Sequence, residues 1–175
     1  MSIAAFHSLP PAPPHLSSGT ILSRFIVAIG FRYQLATKGL TKNEMEFRPV
    51  EGSMNMLELL DHIYKVLTWA YRAFSKNAKL ESPNNTFNEY REKTLQVCEL
   101  FRQRLEEMSD EEIDQTEVYL KRIDTHFSFW YLINLLYSFV SVLTVFKTLG
   151  LISDSIAASV GLNSSSESSL VVDPD

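Results

Sequence analysis

Residues 40–69 read LTKNEMEFRPVEGSMNMLELLDHIYKVLTW, and this stretch says most about the fold. Its first part is predicted to follow the end of one helix and to form an ordered turn. Its second part begins a new helix near Ser53 or Asn55, because either side chain can accept from the free N–H groups of a first turn. This amphipathic helix runs to about Ser75 and places His62 among apolar neighbours. The pattern is typical of a metal ligand that projects into a helical bundle.

The sequence on both sides of this stretch is also helical. Thr20–Lys38 repeats apolar residues at spacings of three and four, and Gly39 supplies the stop. Thr86 and Glu89 form a capping-box pattern that opens a further long helix. The positions expected to face the core are Ile21, Phe25, Ile29, Tyr33 and Ala36 in the first helix, and Phe87, Tyr90, Thr94, Val97, Phe101, Leu105 and Met108 in the other.

Two more helices are predicted in the last third of the chain. A capping box of Ser109 and Glu112 predicts a short acidic helix that leads to Asp124, and the last long helix spans about Thr125–Leu149. No segment shows the alternation and turn chemistry of a hairpin, and six glycines are few for a β-protein. Four long helices with loops long enough to cross a bundle predict an all-α four-helix bundle, arranged up-down-down-up with long connections.

Length and composition set the class of protein. A chain of 175 residues fits one domain, and its net charge of -5 argues against a basic nucleic-acid-binding face. The single cysteine, Cys98, excludes an intramolecular disulfide and indicates a reducing compartment, so a cytoplasmic location is expected. Residues 1–19 are expected to form a disordered proline-rich leader, residues 20–161 the bundle, and residues 162–175 a disordered serine-rich tail.

Residues 127–146 permit a second interpretation, since these 20 residues contain no charge. A helix of ~20 apolar residues spans the hydrocarbon core of a bilayer, so a single-pass membrane anchor is an alternative. Against it, Asn134, Ser138 and Ser141 fall at i, i+4 and i+7 and form one polar stripe. The amphipathic helices also need an apolar partner, which this segment supplies. A soluble bundle is therefore favoured over a membrane span.

Leu40–Trp69 resembles the segment that links the first two helices of DinB-like proteins (DNA-damage-inducible, YfiT-like). The matching elements are Leu40-Thr41, Glu44, Glu46, Phe47-Arg48-Pro49, Gly52-Ser53 and Glu58-Leu59-Leu60-Asp61-His62-Ile63. With the helix order and the Leu149-Gly150 ending, the resemblance covers roughly residues 20–151. It implies a four-helix bundle, often a homodimer, in a family whose characterised branches include thiol-dependent transferases and isomerases.

The resemblance also implies a metal site built from three histidines. His62 matches the histidine of the second helix, and the family places the other two on the last helix as His-x-x-x-His, followed by Arg-Gly-Gln. Counting back from Leu149-Gly150 puts Asn134 and Ser138 at the two histidine positions and Phe139–Ser141 at the triplet. An amide and a hydroxyl are poor ligands for zinc or nickel compared with imidazole. The metal site is therefore expected to be degenerate.

This leaves two interpretations of His62. It is either a core histidine, hydrogen-bonded to a neighbour such as Asn134 or Ser138, or a ligand of a weakly bound metal, and the first is favoured. His126, at the start of the last predicted helix, is the next candidate for a ligand set, against capping or surface placement.

Three further residues complete the predicted site. Arg48 is expected to pair with an acidic side chain and tie the turn down, and Tyr64 and Ser141 are candidate pocket residues. The chain is thus predicted to bind a small-molecule ligand or a partner, as a homodimer, with weak or no catalysis and no nucleic acid. Its cofactor is none, or one zinc or nickel ion held weakly. The alternative is a metal-dependent thiol transferase or hydrolase that uses His62.

Overall fold

The fold is all-α in class, and the residues that the structure describes form three long helices, two short helices and one hairpin. The computed structural model describes residues 6–48, 50–120, 124–131 and 133–134, except for the side chain of Leu120. In chain order the elements are α1 (Ser18–Ala36), α2 (Lys42–Glu46), α3 (Met56–Phe74), α4 (Phe87–Glu107), α5 (Asp110–Asp114), β1 (Glu117–Leu120) and β2 (Thr125–Ser128). The three long predicted helices up to residue 107 are confirmed, with their ends shifted by a few residues.

Side chains at the helix starts cap the first turns, as the sequence indicated. Asn55, rather than Ser53, is the cap of α3 and forms a full capping box with Glu58. Ser109 and Glu112 form the same reciprocal pair at α5. At α4 only half of the box is present, because Thr86 accepts from the Glu89 N–H while the Glu89 carboxylate accepts from Asn84. Each cap satisfies backbone donors that the helix itself leaves free.

Helix α4 packs against both α1 and α3, and the core lies between these three helices. Ile26, Leu67 and Cys98, one from each helix, are fully buried there. Helices α1 and α4 approach closely at Gly19, where a Cβ atom would lie 2.1 Å from the backbone oxygen of Leu105. Any side chain at position 19 would therefore separate α1 from α4. Glycine is required here by space rather than by backbone conformation.

The residues before α1 lie against it. Phe6 is buried, at 1% exposure, and its ring occupies the space that a Cβ of Gly30 would enter. Arg24 donates a hydrogen bond of 2.5 Å to the carbonyl of Pro10. The predicted division into leader, bundle and tail stays a prediction, and the tail falls outside the described residues.

A β-hairpin replaces the predicted start of the last helix. The predictions of no hairpin and of a helix from Thr125 are both wrong, because β1 and β2 pair antiparallel with Val118 opposite Phe127 and Tyr119 opposite His126. Val118 is buried at 1% exposure and Tyr119 is 44% exposed, which is the two-sided alternation of a strand. β-Branched and aromatic residues fit such a half-buried pleated surface. The acidic helix correspondingly ends at Asp114 instead of leading to Asp124.

The inner face of α1 also differs from the predicted stripe. Ile29, Tyr33 and Ala36 are buried as expected, but Ile21 and Phe25 are 46% and 50% exposed. The reason is that the stripe alone does not say which flank of a helix its neighbours cover, and α4 covers the flank that carries Gly19 and Ile26.

The exposed flank of α1 lines an apolar groove. The groove has a volume of about 720 Å³, and Ile133 also lines it. The predicted helix 125–149 lies mostly beyond the described residues, so the fourth long helix of the bundle stays a prediction. Within the described residues, none of the helices is long and apolar enough to cross a membrane.

Candidate functional site

His62 lies on the exposed side of α3. Its neighbours Leu60 and Ile63 are almost fully buried, at 1% and 3% exposure, whereas the His62 side chain faces solvent. The side chain at position 62 is turned about 100° around the helix from that of Ile63. The prediction that His62 is a core histidine is therefore wrong. The hydrophobic stripe of α3 passes beside His62 without including it.

Asp61, the neighbour of His62, links α3 to α4. Its carboxylate accepts a hydrogen bond from Lys65 at 2.5 Å and one from the Tyr90 hydroxyl at 2.9 Å. Burial opposes ionisation of Asp61, but the hydrogen bonds from Lys65 and Tyr90 outweigh it and lower the pKa of this carboxyl. Asp61 is thus an ionised group that two donors already occupy. The i, i+4 spacing of Asp61 and Lys65 was the sequence signal for half of this contact.

Two tyrosines extend the same network. Burial, together with the hydrogen bond to Asp61, raises the pKa of Tyr90 to about 12, so its hydroxyl keeps its proton at neutral pH. Tyr64, the predicted pocket residue, is buried and donates to the carbonyl of Glu81 at 2.9 Å. The Tyr64 and Tyr90 rings meet edge to face at 6.2 Å. These contacts fix the first half of α3 to the start of α4 and to the loop before it, so Tyr64 has a structural role.

Arg48 ties the turn before α3 to that helix. Its guanidinium donates to Glu58 Oε1 at 2.8 Å and to the carbonyl of Ser53. Glu58 also accepts from the N–H of Asn55, so one carboxylate joins the turn and the cap. Gly52, at a φ of +80°, provides the reversal between them. The geometry assigns Arg48 a structural contact within the turn.

Cys98 is fully buried in α4 and is protonated. Burial raises the pKa of its thiol to about 12, with the nearby Glu99 carboxylate as a smaller cause. A thiol acts as a nucleophile only as the thiolate. Cys98 therefore packs as a small apolar side chain and supplies no reactive group to His62.

We expect the stability of the protein to fall as the pH rises above about 9. The folded chain holds the Cys98 proton to a higher pH than the unfolded chain does, so alkali favours unfolding. For a shift of this size, the loss between neutral pH and pH 11 is about 2–3 kcal/mol. Urea unfolding across this pH range measures the loss. In the Cys98→Ala variant the loss of unfolding free energy over this pH range should be smaller by about 2–3 kcal/mol. An unchanged loss would contradict the assignment of this pH dependence to Cys98.

A cleft that the sequence did not reveal lies at the other end of α3. It has a volume of about 970 Å³, within the range of small-molecule sites, and opens between the last turn of α3, the end of α4, α5 and the hairpin. Trp69, Tyr119 and His126 supply aromatic rings, and Arg72, Lys76 and Arg104 supply cations. These residues are distant in sequence, so no local pattern could have identified the cleft.

Comparison with known proteins now bears on this arrangement. The sequence model of the DinB superfamily matches residues 32–136, from the second half of α1 through α4 and the hairpin. The chain belongs to the DinB superfamily. No curated protein and no solved structure gives a match.

The predicted metal-site positions His62 and Asn134, unlike Ser138, are among the residues that the structure describes. Among them, no group of three or more histidine, cysteine, aspartate or glutamate side chains could hold a metal ion. His62 is accessible, but the adjacent carboxylate of Asp61 is bound to Lys65 and Tyr90. Asn134, at the position of one missing histidine, is exposed.

The other predicted site residues fall in two places. Ser138 and Ser141 lie outside the described residues, so their predicted roles are not tested. His126 lies on β2 rather than on a helix, with its Nδ1 atom 3.4 Å from Glu117 and its ring packed on Tyr119 at 4.9 Å. His126 of this DinB-superfamily chain therefore belongs to the hairpin and lines the cleft beside it.

Proposed function

We propose that this DinB-superfamily protein binds a small ligand or a partner, with weak or no metal-dependent catalysis. The observation that supports the proposal best is the donor set around His62. His62 is one imidazole beside an aspartate that already has two hydrogen-bond donors, and the sequence offers Asn134 and Ser138 where the family has histidines. Tight binding of zinc or nickel needs three or four good donors.

The rest of the proposal concerns the cellular location and the oligomeric state of the protein. The single buried cysteine is consistent with a reducing, cytoplasmic location. The family resemblance supports a homodimer, and light scattering would then give a mass near twice the 20.0 kDa of the chain. A monomeric mass would remove this part of the proposal and leave the ligand-binding part intact.

One observation favours the alternative, a metal-dependent thiol transferase or hydrolase. His62 is solvent-exposed, so an incoming ion could reach it without any rearrangement. In that case a thiol would have to come from a co-substrate, because Cys98 is buried and protonated.

Metal analysis separates the two functions. We expect protein purified without chelators or a metal-affinity tag to contain far less than one transition metal per chain. We also expect added nickel or zinc to raise the melting temperature no more in the parent protein than in His62→Ala. The reason is that a ligand stabilises a fold only to the extent that its concentration exceeds its dissociation constant.

His15→Ala is the matched control, since His15 is exposed and lies before α1. It reports metal bound weakly by any surface histidine. Stoichiometric metal that is lost in His62→Ala and kept in His15→Ala would overturn the proposal and establish the alternative.

A further inference from the structure

The cleft beside the hairpin holds two cations that have no acidic partner among the described residues. Arg72 and Lys76 line it, are exposed, and form no ion pair within the part of the chain that the structure describes. Arg104 is the third cation; its Nε donates to the carbonyl of Phe74 at 2.9 Å, which holds its guanidinium at the cleft. Arg72 of α3, Lys76 just after α3 and Arg104 of α4 thus line one concave surface, in a protein whose net charge is -5.

Two carboxylates, those of Glu112 and Glu117, also line the cleft. Glu117 lies 3.4 Å from His126, and Glu112 accepts from the backbone N–H of Ser109 at 2.9 Å as part of its capping box. Glu112 also lies 3.8 Å from Arg104. Arg72, Lys76 and Arg104 outnumber these two carboxylates, so the described lining of the cleft carries an excess of positive charge.

The aromatic side of the cleft is held in place by hydrogen bonds. The Trp69 indole N–H donates to the carbonyl of Tyr119 at 3.2 Å, which fastens α3 to β1. The Tyr119 hydroxyl donates to Asp124 at 2.7 Å, and its ring packs against His126. Rings restrained in this way can receive a flat ligand group without losing much side-chain freedom.

We propose that this cleft binds a small organic anion that carries an aromatic ring. Its carboxylate or phosphate group is recognised by Arg72 and Lys76, since a guanidinium matches both anions with paired hydrogen bonds. Its ring packs against Trp69 and Tyr119. This inference rests on the proposed ligand-binding function, and it adds the site and the chemical class of the ligand.

Trp69 provides the readout. The chain has two tryptophans, and Trp130 is 68% exposed, so Trp130→Phe leaves Trp69 as the only indole. In this background phenyl phosphate should change the fluorescence saturably. It should bind about 3- to 10-fold more tightly than inorganic phosphate, because the ring adds contacts with the aromatic side. Phenol, which lacks the anion, should bind more weakly than phenyl phosphate.

Two substitutions and one control test the cations. Arg72→Gln and Lys76→Gln should each weaken phenyl phosphate binding about tenfold, the loss expected for one charge-assisted hydrogen bond. Lys79→Gln removes the same charge from an exposed lysine that does not line the cleft, and it should leave the affinity unchanged. Calorimetry of each variant checks that a change in fluorescence reports binding.

Three results would each overturn the proposal. They are no saturable response to phenyl phosphate at millimolar concentration, equal affinity for inorganic and phenyl phosphate, and unchanged affinity in the Arg72→Gln/Lys76→Gln double variant. None of these results alters the metal content of the parent protein or of His62→Ala. Failure of the cleft proposal is therefore distinguishable from failure of the proposed function.

Discussion

Phe101→Ala should lower the free energy of unfolding by about 3–5 kcal/mol. Phe101 is 1% exposed where α4 packs against the last turn of α3, and its ring lies 5.7 Å from that of Tyr71 and 5.1 Å from that of Phe74. Removing the ring deletes its transfer free energy and leaves a cavity that two helices cannot close. Urea denaturation followed by circular dichroism measures the difference.

Phe47→Ala is the matched control for this prediction. It removes the same atoms from a ring that is 45% exposed at the end of α2, so we expect a loss below about 1 kcal/mol. If both variants lost the same amount, Phe101 could not be buried between α3 and α4.

Gly19→Ala should lower the free energy of unfolding by about 2–3 kcal/mol. On helix propensity alone this change would stabilise α1 by up to about 1 kcal/mol. The steric effect is larger, because the new Cβ would lie 2.1 Å from the Leu105 carbonyl oxygen, and a backbone atom cannot rotate away. The two helices must then move apart along their contact. Thermal and urea unfolding both measure the loss.

Ser18→Ala, one position earlier in α1, is the control. Ser18 uses its backbone N–H, not its hydroxyl, to donate to Asp110 at 2.9 Å, so the substitution should change stability by less than about 0.5 kcal/mol. A Gly19→Ala variant as stable as the parent would show that α1 and α4 do not approach so closely.

The proposed function and the cleft depend on different residues, and this makes the protein easy to dissect. His62 lies beside the Asp61–Tyr90 link in the first half of α3, whereas Arg72 and Lys76 lie at its far end. Substitutions at one end should leave the other end unaffected, because sites this far apart with no shared partners usually act additively.

The sequence by itself determined the three long helices up to residue 107, with their ends correct to within a few residues. The caps at Asn55, Thr86 and Ser109, the apolar periodicity of α4 and the stop at Gly39, with a φ of +73°, were all readable from local patterns. A helix forms through contacts three and four residues apart, so its signals lie within a short window. The family relationship was likewise carried by one continuous stretch.

Only the tertiary structure decided which side chains meet. Whether His62 and Phe25 are buried depends on where neighbouring helices pack, and the β1–β2 pairing overrode the helical pattern expected after Thr125. The Asp61–Tyr90 hydrogen bond joins residues 29 positions apart, and the cleft gathers side chains from α3 to β2. The physical reason is that such contacts depend on chain segments brought together by folding, which no local spacing encodes.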